Sequence, residues 1–333
     1  MGTNDSGPIR VGVLGVAGRM GRAVADAVHE ADGLMLVAAA DPSAPGSEVN
    51  DVTVVAGVED LLDAVPDVDV VVDFTVAEAS RATLPALAAA GVHAVVGTSG
   101  LDDDDLAALR DVFRTSNCLV APNFAIGAVL MMRFAELAAP WFETAEIVET
   151  HHDGKIDAPS GTAVATADRM AAASAEWAPD PTTREVVSGA RGGVGPADIR
   201  IHSLRMRGAV ADQEVVLGTT GQTLTIRHNT TDRTSFMPGV VLAVRRIGDA
   251  PGVTLGLDAL LGLCPGPESD HDPGRSAPTK PVVGPVAPAG GRPAGGHPEP
   301  GVLATATPRS PSGLQLGGGG PCRPAGGPIG RGA

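Results

Sequence analysis

From Ile9 to about Ala121 the chain alternates short apolar, β-branched runs with longer helix-patterned segments, and nothing else in it narrows the possible folds as far. A strand that is apolar on both sides has to be covered on both sides, as happens in a parallel sheet wrapped by crossover helices. The spacing predicts strands over residues 10–14, 34–40, 68–74, 92–96 and 119–121, with helices over 20–31, 77–90 and 102–114. That pattern is α/β, a Rossmann-like doubly wound parallel sheet. The run Asp102-Asp103-Asp104-Asp105 falls in the first turn of the third helix, where acidic side chains favour the positive end of the dipole. Capping and solubility account for it.

Past Asn123 the pattern changes. A helix over 126–139, a strand over 146–151, a helix from Gly161 and strands over 199–205, 214–217 and 223–229 predict an α+β domain with a mostly antiparallel sheet. In Thr223-Leu224-Thr225-Ile226-Arg227-His228 apolar and polar positions alternate, giving one buried and one wet face. A helix over 238–246 and the segment 255–263 close the ordered part. The expected division is therefore a first domain over 9–122, completed by 238–263, and a second over 123–237. From Cys264 onward proline and glycine dominate without apolar periodicity, the composition of a disordered tail over 264–333, to which no function is assigned.

Of the 333 residues 43% are hydrophobic and 19% charged, enough apolar material for a sizeable core. The net charge of −15 excludes a nucleic-acid-binding class, which needs a concentrated basic surface. No apolar run reaches the roughly 20 residues of a membrane-spanning helix, and Met1-Gly2-Thr3-Asn4-Asp5-Ser6 has no signal-peptide pattern, so a cytoplasmic protein without a membrane partner is expected. Cys118, Cys264 and Cys322 follow no metal-ligand or disulfide spacing.

The first strand runs into Gly15-Val16-Ala17-Gly18-Arg19-Met20-Gly21-Arg22 and then a helix. Gly15 permits a tight turn, Ala17 and Gly18 let backbone approach a pyrophosphate, Gly21 allows close helix–strand packing, and the helix start supplies N–H donors. The spacing is G-x-x-G-x-x-G rather than G-x-G-x-x-G, and a glycine loop alone is equally compatible with a structural turn. Asp41, about 20 residues on at the end of the second strand, supplies a carboxylate for ribose hydroxyls. Arg19 offers a guanidinium for a 2′-phosphate, so NADH and NADPH both remain open as cofactors. Two more loops follow strand ends, Gly97-Thr98-Ser99-Gly100 and Ala121-Pro122-Asn123-Phe124, where an α/β sheet opens its ligand crevice; ordinary Gly/Pro turns are the alternative.

The most telling segment is Glu149-Thr150-His151-His152-Asp153-Gly154-Lys155-Ile156-Asp157-Ala158-Pro159-Ser160-Gly161-Thr162. His151, His152 and Lys155 make a local cationic site in an acidic protein. Neighbouring strand residues point to opposite faces, so the two histidines have separate roles. Ser160 is placed to cap a helix whose first residues, Gly161 and Thr162, suit a carboxylate, and Lys155 can serve as a proton donor. Packing histidines and a plain cap are the bland alternatives. Zinc is not expected, since no third ligand stands at a useful spacing.

With Val96-Gly97-Thr98-Ser99-Gly100 and Ala121-Pro122-Asn123-Phe124-Ala125-Ile126-Gly127, these segments in this order resemble the 4-hydroxy-tetrahydrodipicolinate reductase family over about residues 9–263. The resemblance implies hydride transfer from NADH or NADPH to the substrate ring with loss of water, in diaminopimelate and lysine biosynthesis. It implies His151 as proton donor or acceptor, Lys155 as proton donor, and His152, Gly161 and Thr162 as ligands of a small dicarboxylate. Dinucleotide contacts would come from Gly15, Val16, Ala17, Gly18, Arg19 and Met20, from Asp41, from Gly97, Thr98 and Ser99, and from Ala121, Pro122, Asn123 and Phe124. A homotetramer joined through the second domain's sheets is implied too, making that domain one for substrate binding and oligomerisation. Ser99 stands where many relatives have a second threonine, and Pro42 where some have a basic residue for the 2′-phosphate. The tail has no counterpart in the family. Aspartate- or homoserine-dehydrogenase-like reductases and a catalytically silent dinucleotide-binding regulator are the competing classes; the first lack the His-His-Lys-Ser-Gly-Thr segment, the second would not need His151 and Lys155.

Overall fold

A computed structural model of the chain describes residues 7–263. The expected tail over 264–333, with Cys264 and Cys322, lies outside the described residues. β1 (Ile9–Leu14) enters the glycine loop and α1 (Arg19–Glu30). Then come β2 (Leu34–Ala40), β3 (Glu48–Val49), β4 (Val52–Val55), α2 (Val58–Ala64), β5 (Val70–Asp73), α3 (Ala77–Ala89), β6 (His93–Val96), α4 (Asp103–Val112) and β7 (Cys118–Val120). The second part runs α5 (Ile126–Ala138), β8 (Thr144–His151), α6 (Gly161–Ala173), β9 (Gly193–Val194), β10 (Arg200–Arg205), β11 (Ala211–Thr219) and β12 (Gln222–Thr230). The chain ends with α7 (Met237–Arg246) and β13 (Val253–Leu255).

The first sheet has the order β13-β7-β6-β5-β1-β2-β4-β3, parallel throughout except where β3 meets β4. Strand periodicity splits the valines of β5 between two cores. Val70 and Val72 join Val11, Val24, Val28, Val240 and Val244 under α1 and α7, whereas Val71 joins Leu61, Leu84, Leu87 and Leu109 under α2, α3 and α4. The closing segment returns to this sheet: β13 pairs with β7, and α6 is tied to it by a bidentate ion pair from Arg169 to Asp258 at 2.7 and 2.9 Å.

One feature departs from the expected pattern. Residues 48–64 hold a hairpin and α2 that the apolar pattern did not announce. Asn50 and Asp51, both at positive φ (47° and 64°), make the two-residue turn between β3 and β4. The four-aspartate run caps its helix, as expected, through a reciprocal pair of bonds. Asp102 is the N-cap outside α4, its carboxylate accepting the Asp105 N–H while the Asp105 carboxylate accepts the Asp102 N–H, each at 2.9 Å.

The second sheet has the order β12-β11-β8-β10-β9. It is mostly antiparallel, but β8 and β10 run parallel, because the chain crosses over through α6 between them. Helices α5 and α6 lie on one face, burying Ile147, Val215, Leu217, Ala163, Ala167 and Met170 together. Among the described residues no helix is long and apolar enough to cross a membrane.

Candidate active site

β1 is the centre of the first sheet, flanked by β2 and β5, and the chain leaves it in opposite directions. The crevice at the carboxyl ends of these strands is where such sheets bind ligands. Gly15 turns there at φ 76°, and a Cβ on Gly21 would stand 2.1 Å from the Gly15 carbonyl oxygen, so α1 can start this close to the turn only with glycine at 21. The N-cap Gly18 puts no side chain over the helix start, and no acidic residue occupies the first turn. Ala17, Gly18 and Arg19 are exposed; Val16 is buried and Met20 half-buried. The Ala17 and Gly18 N–H groups are spent inside the loop, and it is the first turn of α1 that presents N–H donors at the positive end of a helix, the requirement of a pyrophosphate.

Asp41 is buried beneath this loop. Its carboxylate accepts the Ala17 N–H at 3.0 Å, the Ser43 N–H at 2.9 Å and the Ser43 hydroxyl at 2.5 Å. Burial pushes the Asp41 carboxyl up, but these hydrogen bonds outweigh it and hold the group below the usual carboxylate range. The residue expected at a ribose therefore also shapes the glycine loop from below.

A second carboxylate, missed in the sequence, organises the neighbouring loops. Asp73 ends β5 fully buried and accepts from the Thr75 N–H (2.8 Å), the Thr75 hydroxyl (2.6 Å), the Ser80 hydroxyl (2.8 Å) and the Thr98 hydroxyl (3.3 Å). It ties the loop after β5 to Gly97-Thr98. A Cβ on Gly97 would enter the Phe74 ring, which itself packs on Phe124 at 5.5 Å between centroids. Thr98, Ala121 and Phe124 are buried, whereas Ser99 and Pro122 are exposed at the rim. The signal was a carboxylate closing an all-valine strand with a hydroxyl residue two places on.

Asn123 joins the two halves of the site. Its Oδ1 accepts the Ala125 N–H at 2.8 Å and its Nδ2 donates to the Thr162 hydroxyl at 3.3 Å, so a loop of the first sheet touches the start of α6. There lies a cavity of about 190 Å³, with Asn123, His151, Ser160, Thr162, Gln213 and His228 in its wall. Ser160 caps α6 as expected, its hydroxyl accepting the Ala163 N–H at 3.2 Å; Gly161 is exposed with open space where a Cβ would stand.

His151 reaches the cavity because of Glu149, two residues earlier on the same strand face. Glu149 is fully buried, takes the His151 Nδ1–H, and is clasped by Arg205 through two bonds at 3.0 and 3.1 Å, with the Ser160 N–H at 3.3 Å. Burial pushes its carboxyl up, yet the Arg205 guanidinium and the other donors bring it below the usual range. An ionised carboxylate only accepts, so His151 carries its proton on Nδ1 and leaves Nε2 open. Arg205 also donates to the Lys155 carbonyl at 3.2 Å and the Asp157 carbonyl at 2.5 Å, pinning the turn after β8.

Lys155 is not brought to His151. Its ammonium is held by both oxygens of Asp157 at 2.7 and 2.8 Å, and it is absent from the cavity wall. His152 is exposed beside Gly154, on the face opposite its neighbour. The sequence alone assigns no site role to Glu149, Arg205, Gln213 or His228. The i, i+2 spacing of Glu149 and His151 was a readable sign; the others are brought in by strand pairing at long range.

Residues 9–124 match the family model described as dihydrodipicolinate reductase, N-terminus, and residues 127–261 the one described as dihydrodipicolinate reductase, C-terminus. The chain is 51% identical over 262 residues to 4-hydroxy-tetrahydrodipicolinate reductase of Beutenbergia cavernae, covering 77% of this chain and 99% of that one. Against the same enzyme of Thermobifida fusca it is 49% identical over 263 residues, 77% and 100% covered. Its structure is similar to the dipicolinate-bound dihydrodipicolinate reductase of Paenisporosarcina sp. TG-14, with a TM-score of 0.68 at 36% identity over 76% of this chain and 99% of that one. Both sheets, and the junction between them where Asn123 meets Thr162, are thus spanned by paired models and by near full-length relatives, and the chain belongs to the dihydrodipicolinate reductase family.

Proposed function

We propose that this site binds NADH or NADPH in the glycine-loop crevice and reduces 4-hydroxy-tetrahydrodipicolinate to tetrahydrodipicolinate, with loss of water, in diaminopimelate and lysine biosynthesis. The observation that carries the reading is the open Nε2 of His151 in a cavity whose wall joins the loop after β7 to the start of α6. Dipicolinate, bound by the related solved reductase, has the dicarboxylate ring chemistry such a cavity would take. When bound, the nicotinamide supplies the hydride. Gly15, Val16, Ala17, Gly18, Arg19 and Met20, with Asp41 beneath, hold the pyrophosphate and ribose end; Gly97, Thr98, Ser99, Ala121, Pro122, Asn123 and Phe124 line the nicotinamide end. Arg19, exposed and without an ion pair among the described residues, leaves room for a 2′-phosphate.

At the other side of the cavity Ser160, Gly161 and Thr162 receive one substrate carboxylate at the N-terminus of α6, assisted by His152. His151 Nε2 and Lys155 exchange the proton that accompanies hydride transfer. Asp157 pairs with Lys155 in this structure, and a substrate carboxylate takes over that partnership on binding. The enzyme works in the cytoplasm as a homotetramer joined through the second sheet; the face turned from α5 and α6, with Val148, Leu204 and Val216, supports this.

The direct experiment generates the substrate enzymatically and follows NADH and NADPH oxidation; no oxidation with either cofactor refutes the reaction. Light scattering that finds only monomers would refute the assembly. For the cofactor seat, Gly21→Ala is the sharp variant. A methyl group 2.1 Å from backbone must displace α1, and overpacking of this kind costs about 1–3 kcal/mol. NADH affinity is expected to fall about tenfold or more by fluorescence titration, and an unchanged affinity would move the dinucleotide elsewhere.

A further inference from the structure

One wall of the cavity is not used by the chemistry above. Glu149 on β8, Gln213 on β11 and His228 on β12 are register partners, so their side chains stand side by side on the sheet face that looks at α5 and α6. Glu149 is committed to Arg205, His151 and Ser160. Gln213 is 5% exposed, and a chain of hydrogen bonds sets the direction of its amide. Its Nε2 donates to the Thr166 hydroxyl oxygen at 2.7 Å, and that hydroxyl spends its own proton on the Thr162 carbonyl, also at 2.7 Å. Thr166 can therefore only accept from Gln213, which puts the NH2 on Thr166 and leaves the carbonyl oxygen to face another way. That oxygen, Oε1, is buried with no hydrogen-bond partner, although Gln213 lines the cavity. A buried acceptor left unpaired is costly and calls for a reason.

We propose that Gln213 Oε1 accepts a hydrogen bond from the ring hydroxyl of the substrate, making Gln213 the residue by which the site tells hydroxylated substrate from product. The assignment rests on the reaction proposed above. The carboxylates of such a ring need donors, which the α6 start and His152 supply. Its hydroxyl is a donor and needs an acceptor. Among the other acceptors in the wall, His151 Nε2 is taken up by the proton transfer, and the amide and carboxylate oxygens are engaged or wrongly charged. Asn123 Oδ1 accepts the Ala125 N–H, and Asp212 accepts the Thr230 N–H at 3.1 Å while its charge repels a dicarboxylate. His228, the next residue along the row, is pushed down by burial and packs where a Cβ on Gly127 would be 2.5 Å from its ring, so the β12 side of Gln213 is uncharged at neutral pH. A neutral acceptor beside a neutral imidazole, with the Glu149 charge on its other side answered by Arg205, receives a hydroxyl without repelling the rest of the ligand.

Gln213→Met keeps the length of the side chain and removes both polar atoms. Its kcat/KM for the hydroxylated substrate is expected to fall about tenfold or more. Inhibition constants for dipicolinate and for the product tetrahydrodipicolinate, neither of which has the hydroxyl, and the NADH dissociation constant should stay within about twofold. Equal losses for all three dicarboxylates would show that Gln213 only shapes the cavity and would overturn the proposal, as would an unchanged kcat/KM. Parallel losses for substrate and product with dipicolinate spared would make the ring nitrogen the group that is read, and would overturn it too. If Gln213→Met does not fold, Thr166→Val frees the amide to turn and is expected to give the same selective loss at smaller size; an unselective loss or none overturns the assignment. Wild-type turnover is measured first. Its absence refutes the reaction itself, whereas normal wild-type turnover with an unselective variant refutes only the role of Gln213.

Discussion

Lys155→Ala is expected to lower kcat by about 10²-fold or more while leaving NADH affinity within about threefold, the usual pattern when an acid–base group is removed. The structure sharpens what this test means. Lys155 lies in the turn pinned by Arg205, with its ammonium on the Asp157 carboxylate rather than in the cavity. If Asp157 is a stand-in for a substrate carboxylate, then removing its charge should not harm the chemistry. Asp157→Asn is therefore expected to keep kcat within about threefold and to leave KM equal or lower, since the substrate no longer competes for the ammonium. The Asp157 carboxyl is held below its ordinary value chiefly by the Lys155 hydrogen bond, so the clamp persists across the neutral range. Stopped-flow measurement of NADH oxidation on both variants decides the matter. A near wild-type kcat for Lys155→Ala takes the lysine out of the reaction and leaves His151 as the proton donor. A large loss of kcat in Asp157→Asn would instead make the carboxylate part of the machinery.

How much of this could be read in advance differs between the two halves. The first sheet was legible because burial on both faces leaves unbroken runs such as Val70-Val71-Val72, and because Gly15 and Gly21 are required by contacts within a few residues of themselves. The Asn50-Asp51 hairpin was missed because strands of two and four residues carry too few positions for periodicity to register. In the second half the segment from Glu149 to Thr162 was legible as chemistry, since strand, turn and helix start are local. The part of the cavity wall built by β11 and β12 was not. Gln213 and His228 become neighbours of Glu149 only through the pairing of β11 with β8 and β12, over sequence distances that no local pattern spans. Lys155 is the opposite case. Sequence proximity groups it with the histidines, and in the structure the anion two residues away, Asp157, holds its ammonium.

Glu149 ties the fold to the chemistry most tightly, and Glu149→Gln is expected to damage both. The wild-type carboxylate is fully buried and answers Arg205 twice, the Ser160 N–H and the His151 Nδ1–H. An amide cannot accept all of these, and it leaves the Arg205 guanidinium without a counter-charge. Breaking one partner of such a pair costs about 3–5 kcal/mol, toward the lower end here because Arg205 is partly exposed. For a chain of this size the midpoint of thermal unfolding should drop by about 5–10 °C. The difference should depend on acid in a definite direction. Glu149 has a folded pKa below its unfolded value, so its contribution is complete above the ordinary glutamate range and fades as pH falls through the lowered folded value. The gap between wild type and variant should be full at pH 7 and shrink well below pH 4. Losing stability is separable from losing function. In the double variant Glu149→Gln with Arg205→Met no buried charge is stranded, and most of the stability should return. The rate should not, because an amide carries no charge to fix the proton on His151 Nδ1 and can turn its NH2 toward that nitrogen instead, and kcat is expected to remain about tenfold or more below wild type. Recovery of both together would mean that Glu149 serves the fold alone, and that His151 finds its tautomer without it.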